Sequence, residues 1–208
     1  MGRCDAASEL LNSVGDNILM AYYYLQQMGE YTVKRFKKKS TQTEHFKLED
    51  CWFLKLDKCG QLKPLSKFAS DEDIMLADSA TLNSDKQKNG RKGVWFHQHA
   101  NGEKLLCGVR AIGSFYCYIC KASGRDWKIW LSAYWDDSKY CCDVTDEDIW
   151  QNVKFAATKL DYFGTQLIPV DNVDTNSLLS SVAMALALSG YSYTQIYKMR
   201  IWKVSSFM

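Results

Sequence analysis

The segment from Gly93 to Trp135 constrains the fold more than any other part of the sequence. It contains four runs rich in β-branched and aromatic residues, and two-residue turn signals separate them at residues 101–102, 113–114 and 123–124. The first of these signals, Asn101-Gly102, is the strongest short indication of a β-hairpin, because a type I′ turn needs positive φ at both central residues. The segment therefore predicts an antiparallel meander of four strands.

Short turns fix the register of the predicted meander, and the register decides which side chains share a face. One face is almost wholly apolar and is the predicted core face. The other face mixes aromatic rings with cations and histidines, namely Trp95, His97, His99, Lys104, Arg110, Phe115, Lys121, Lys128, Trp130 and Tyr134. A half-buried antiparallel sheet usually has a polar outer face. We therefore expect a ligand or a second layer to cover part of this aromatic–basic face.

An amphipathic helix is predicted before the sheet. Apolar residues step alternately by four and by three from Ala7 to Met28, and Gly29 follows as a helix stop. Such a seam can pack on the domain's own sheet or join two copies of the chain in a coiled coil. The short length of the run favours packing within the chain, and homo-oligomerisation through residues 7–28 is the alternative.

A hairpin and a short helix are predicted between the N-terminal helix and the meander. The hairpin spans Glu49 to Ser66, with Pro64 on an edge strand because proline cannot donate to a β-ladder. Ser70 is the predicted N-cap of a helix that runs to about Leu82. The polar segment from Asn83 to Lys92 is predicted to be a mobile basic loop that leads into the meander.

Two helices are predicted after the meander. Thr145 and Asp148 resemble a capping box at the start of the first helix, and Gly190 ends the second. The predicted fold is therefore α+β, with an antiparallel meander of about four to six strands between an N-terminal amphipathic helix and two C-terminal helices. We predict a single domain over residues 1–208, with residues 1–40 as a helical and basic arm that packs on it.

Composition and cysteine usage indicate an intracellular chain. The eight cysteines accompany no secretory signal and no Asn-x-Ser/Thr sequence, so reduced thiols in the cytoplasm, or alternatively the nucleus, are predicted. No apolar run is long enough to cross a bilayer. The start, with Gly2 and Cys4, weakly resembles an acylation signal but has Ala6 where a hydroxyl residue is usual. Membrane association is therefore not expected.

Neither a metal nor a cofactor is predicted. Cys117 and Cys120 have zinc-ligand spacing, and Cys141-Cys142 could supply a second half-site. Residues three apart in a strand point to opposite faces, so the first pair should not grip one ion. The sequence also contains no phosphate-binding loop, Gly-x-Ser-x-Gly or His-Glu-x-x-His motif.

The aromatic–basic face predicts a non-enzymatic binding protein. The net charge of +2 gives no long-range attraction to nucleic acid, so a protein partner is favoured. Single-stranded RNA is an alternative ligand, with the basic segments 34–39 and 86–92 extending the path; the first contributes Lys34, Arg35, Lys37, Lys38 and Lys39. A self-assembling structural protein is a further alternative.

A hydrolase is the enzymatic alternative. It would use Cys51 as a nucleophile with His97 or His99 as the base. Catalysis is not the favoured prediction, because eight cysteines and three histidines supply such pairs by chance.

Overall fold

A computed structural model of the chain describes residues 6–24, 26, 32, 45–84, 93–103, 106–161, 164, 169–173, 175–192 and 194–196. Within these residues the fold is α+β, as the sequence predicts, with antiparallel strands between an N-terminal helix and C-terminal helices. The predicted basic segments 34–39 and 86–92, Lys104, and Gly2 with Cys4 lie outside the described residues. None of the described helices combines the length and the apolar character needed to span a lipid bilayer.

The secondary structure alternates between helices and short strands. The α-helices are α1 (Ala6–Tyr23), α2 (Asp71–Met75), α3 (Gly108–Ala122), α4 (Asp146–Lys159) and α5 (Thr175–Leu188), and 3₁₀ turns span Leu48–Asp50 and Val170–Asn172. The strands are β1 (Cys51–Leu56), β2 (Leu62–Pro64), β3 (Ser79–Ser84), β4 (Val94–His99), β5 (Ala133–Trp135) and β6 (Cys141–Asp143). The larger sheet has the antiparallel order β2-β1-β3-β4, and β5 pairs with β6.

Several local predictions are confirmed. Strands β1 and β2 form the predicted hairpin, and Pro64 lies in the edge strand β2. The Ser70 hydroxyl accepts from the Asp73 amide at the start of α2. Thr145 and Asp148 form a capping box at the start of α4. These signals act over a few residues, so the sequence alone specifies them.

The prediction of a four-stranded meander over Gly93–Trp135 is wrong. Among the described residues of this segment only β4 and β5 are strands, and residues 108–122 between them form the single helix α3. The turn signal at Asn101-Gly102 does not make a hairpin, because Gly102 alone has positive φ. The less buried positions of the helix recur at helical spacing, at Arg110, Ser114, Tyr118 and Lys121. This polar stripe is the signal that distinguishes the helix from two strands.

The prediction of a helix that runs from Ser70 to about Leu82 is wrong beyond Met75. Residues 79–84 form β3, which lies between β1 and β4 in the sheet. The strand reads SATLNS and has little β-propensity of its own. Its conformation depends on the ladders that it makes on both sides, which are long-range contacts.

The core lies between the larger sheet and α3. One face of the sheet, here called the inner face, carries Cys51, Phe53, Ala80, Leu82 and Phe96, all buried. The Phe53 ring packs edge to face on Tyr116 of α3, with ring centres 5.0 Å apart. Burial of these side chains supplies most of the driving force for this packing.

Helix α1 packs against α3 within the chain. Val14 and Ala21 of the predicted seam are buried, whereas Leu11 is 55% exposed. The helices approach closely where a Cβ on Gly108 would lie 2.6 Å from the Cβ of Tyr23, so only glycine fits. Much of the predicted seam is therefore used inside one copy of the chain.

Candidate binding surface

The outer face of the larger sheet, opposite α3, exposes two tryptophans. Alternation along the strands points Trp52 of β1 and Trp95 of β4 to this face, on either side of β3. Trp95 is 47% exposed and Trp52 is 37% exposed. Their ring centres are 6.2 Å apart, with the planes tilted by 57°. Large aromatic side chains left in water on a sheet are a feature of binding surfaces.

Hydrogen bonds hold the backbone beneath these rings. His97 Nδ1 and the Thr81 hydroxyl are 2.8 Å apart, and Thr81 is the cross-strand neighbour of both Trp52 and His97. The Ser79 hydroxyl donates to the carbonyl oxygen of Gln98 at 2.8 Å. Both hydroxyl residues are buried. The tryptophans therefore extend from an ordered part of the sheet.

A cation and two further rings extend the surface beyond the sheet. The Lys67 ammonium lies 5.1 Å from the centre of the Trp52 ring and 5.5 Å from that of Trp127. Phe68 packs edge to face on Trp127 at 5.9 Å, and the Arg125 guanidinium lies 5.3 Å from the centre of the Phe68 ring. Trp52, Lys67, Phe68, Trp95, Arg125 and Trp127 are here called the aromatic–cation patch.

The cations of the patch have no carboxylate partner among the residues that the structure describes. Elsewhere in the described residues, Lys55 pairs with Asp73 at 3.2 Å, Lys63 pairs with Asp57 at 2.9 Å, and Lys121 pairs with Asp71. Neither Lys67 nor Arg125 makes an ion pair within the described part of the chain; each lies over aromatic rings instead. A cation over a ring still attracts an incoming anion.

The structure brings together only part of the predicted aromatic–basic face. Trp95, His97 and His99 share the exposed side of β4, as predicted. Phe115 is 2% exposed in the core side of α3, so it does not belong to a surface. The remaining described members are separated: Arg110 and Lys121 lie on α3, Lys128 and Trp130 in the loop after it, and Tyr134 on β5. They scatter because α3 replaces the two middle strands of the predicted meander.

The proposed nucleophile and base of a hydrolase do not meet. Cys51 points to the inner face of the sheet, while His97 and His99 point to the outer face. Burial raises the pKa of the Cys51 thiol well above its ordinary value. A buried, protonated thiol is a poor nucleophile.

The expected geometry of Cys117 and Cys120 is also wrong. They lie one turn apart on α3 and not on opposite faces of a strand, and both are buried. Burial raises the pKa of Cys117 to about 12 and also raises that of Cys120. Among the described residues, no three side chains of the types His, Cys, Asp or Glu are placed to hold a metal ion.

Five members of the patch were missed by sequence reasoning, for two different reasons. Trp52 lies between Cys51 and Phe53, so strand alternation alone places it on the face opposite these two residues. Lys67 and Trp127 come from irregular segments that meet only in the folded chain, and no local signal marks them. The same holds for Phe68 and Arg125.

The chemistry of the patch suits recognition. Its rings offer flat apolar contact area, and its cations offer charge-assisted contacts to an anion.

Comparison of the chain with models of known protein families, with curated proteins and with solved structures gave no match.

Proposed function

We propose that this chain is a non-enzymatic binding protein that engages a protein partner through the aromatic–cation patch. The observation that carries the proposal is the exposure of Trp95 and Phe68, at 47% and 68%, in a patch where Lys67 lies over Trp52 and Arg125 over Phe68 and neither cation has a carboxylate partner in the described chain. Tryptophan and arginine are enriched among the residues that dominate binding energy. A partner segment with a carboxylate next to an aromatic or aliphatic side chain fits this chemistry.

The position of Lys67 suggests how such a segment is held. Its ammonium lies within about 5.5 Å of the ring centres of both Trp52 and Trp127, so a carboxylate that pairs with it would lie close to two indole rings. Apolar neighbours of that carboxylate then contact the rings and exclude water. Exclusion of water strengthens the ion pair, because the local dielectric constant falls.

Single-stranded RNA is the second candidate ligand. Exposed tryptophans on a sheet can stack bases, and each stacked base contributes about 1–3 kcal/mol. A path for phosphates needs several cations, whereas Lys67 and Arg125 are the cations that contact the rings of the patch. The net charge of +2 adds no long-range attraction. These observations favour a protein partner.

A random-peptide display library tests the proposal with a defined probe. Peptides selected on the full chain should combine an acidic residue with an adjacent aromatic or aliphatic residue. Trp95→Ala and Lys67→Glu should each weaken the selected peptides by about tenfold or more, measured by calorimetry, because each removes a central contact.

The chain offers a matched control on α4. Phe155 is exposed, and Lys159 lies 5.4 Å from the centre of its ring, so this pair has the same chemistry away from the patch. Phe155→Ala and Lys159→Glu should leave peptide binding unchanged. Equal binding by all four variants contradicts the proposal. Tight, salt-sensitive binding of oligouridylate that is lost in Trp95→Ala and Lys67→Glu would instead favour the RNA alternative.

A further inference from the structure

A cavity of about 730 Å³ lies between α1 and α3, away from the outer face of the sheet. Its volume falls in the range of small-molecule sites. The apolar part of its wall includes Leu11, Leu19, Met75 and Phe115. Leu11 is 55% exposed and does not pack into the core. An exposed leucine beside a cavity provides apolar contact area for a ligand.

Polar side chains from the two helices also line the cavity. Helix α1 contributes Glu9 and Asp16, which are seven residues apart and therefore share a face. Helix α3 contributes Arg110, Ser114 and Tyr118 at intervals of four residues. These positions include much of the polar stripe that identifies α3 as a helix. The stripe thus lies over the cavity.

One of the two carboxylates is already used by the protein. The Tyr118 hydroxyl donates to Glu9 Oε2 at 2.9 Å and accepts from the Trp135 amide at 3.0 Å. These bonds join α1, α3 and β5. Glu9 therefore has a structural partner.

Asp16 is the other carboxylate, and among the described residues no tyrosine hydroxyl donates to it as Tyr118 donates to Glu9. Its side chain is partly withdrawn from water, and the Ser114 hydroxyl lines the cavity with it. Arg110 lines the same cavity, yet within the described residues no salt bridge joins it or any other cation to Asp16. Burial raises the pKa of Asp16 to about 6, and the nearby Ser114 hydroxyl opposes part of the shift. A ligand cation at this carboxylate would offset the loss of hydration.

We propose that the cavity between α1 and α3 binds a small primary amine with an apolar body, its ammonium group contacting Asp16 and Ser114. The ammonium donates to the Asp16 carboxylate and to the Ser114 hydroxyl oxygen. The apolar body contacts Leu11, Leu19 and Met75. Glu9 and Asp16 together outnumber Arg110 in the wall, so a cation suits the cavity better than an anion.

Nuclear magnetic resonance of the full chain tests this proposal with three probes of similar shape. These are 2-phenylethylamine, its neutral analogue 2-phenylethanol and the anion 3-phenylpropionate. The amine should give saturable shifts of backbone amides in Glu9–Leu19 and Arg110–Tyr118. The alcohol should bind about tenfold or more weakly, because it lacks the charge-assisted bond to Asp16.

Two variants assign the binding to one carboxylate. Asp16→Asn preserves shape and should lower amine affinity to that of the alcohol. Arg110→Gln removes the cation of the cavity and should leave amine affinity unchanged or increase it. Glu72→Gln removes an exposed carboxylate from α2 and is the matched control.

Three results would overturn the proposal. The first is that the amine produces no saturable shift in these helices up to millimolar concentration. The second is that the alcohol or the anion binds as tightly as the amine. The third is that Asp16→Asn binds the amine as tightly as the parent chain. The intact pattern of amide signals outside the two helices shows in each case that the variant is folded.

Discussion

At the scale of single residues, Asp16 is a carboxylate that opposes folding when it is ionised. Desolvation raises its pKa from 3.8 to about 6 in the folded chain. The folded chain therefore binds more protons than the unfolded chain between these values, and stability falls as the pH rises through them. Above about pH 6 the loss is complete and constant.

Asp16→Asn should therefore stabilise the chain at neutral pH. We expect a gain of about 1–3 kcal/mol in the free energy of unfolding, since one pKa unit corresponds to 1.36 kcal/mol and partial exposure reduces the effect. The gain should shrink as the pH is lowered from about 6 to about 4 and should vanish below that. Urea unfolding over this pH range, followed by circular dichroism, measures it. A variant that is less stable at neutral pH would show that Asp16 is held by a favourable ion pair.

At the scale of secondary-structure elements, the capping box is a local device with a measurable effect. The Thr145 hydroxyl accepts from the Asp148 amide at 3.2 Å, and the Thr145 amide donates to the Asp148 carboxylate at 2.8 Å. Both bonds satisfy backbone groups at the start of α4. Helix α4 buries Ile149 and Ala157, so its start is coupled to the core.

Thr145→Ala should lower the free energy of unfolding by about 1 kcal/mol, because an amide loses its hydrogen-bond acceptor. Thermal and urea unfolding measure the change. Thr145→Ser keeps the hydroxyl and should restore most of the stability. Thr158→Ala is a control in the same helix, where the hydroxyl only donates to the carbonyl oxygen of Lys154. An equal loss in both alanine variants would argue against the capping role.

Helix α3 shows where reasoning from residue type fails at this scale. Its sequence, GVRAIGSFYCYICKA, is rich in aromatic and β-branched residues and contains two glycines. Ten of its residues are buried, including Gly113, which lies against Ile74 and Met75 of α2. Aromatic and β-branched residues favour strands, and the two glycines resemble turn signals. Only the polar stripe from Arg110 to Lys121 indicated that this segment is a helix.

At the scale of the whole molecule, the cysteines fall into a buried group and an exposed group. Cys51, Cys117 and Cys120 are buried between the sheet and α3, whereas Cys59 and Cys141 are exposed. All seven cysteines in the described residues are free. Burial raises the pKa of the Cys51, Cys117 and Cys120 thiols.

The rate of thiol labelling should therefore be high for the exposed cysteines and low for the buried ones. Under native conditions Cys59 should react at least about a hundredfold faster than Cys51, Cys117 and Cys120, whose labelling requires opening of the core. Peptide mapping by mass spectrometry after timed labelling measures the rates. The core thiols should react quickly in urea, which controls for their chemistry. Rapid native labelling of Cys51 would contradict its burial and would revive a role as a nucleophile.

The sequence by itself determined the α+β class, the β1–β2 hairpin with Pro64 at its edge, the caps at Ser70 and Thr145, and the alternation that exposes Trp95 and His97. Each of these follows from a pattern of a few neighbouring residues. The helix Gly108–Ala122 was also marked in the sequence, by its polar stripe. The tertiary structure decided that Ser79–Ser84 is a strand. It also decided that Lys67 lies close to the rings of both Trp52 and Trp127 and that Asp16 lies in a cavity with Arg110. These outcomes depend on contacts between residues distant in the chain, and no local propensity encodes them.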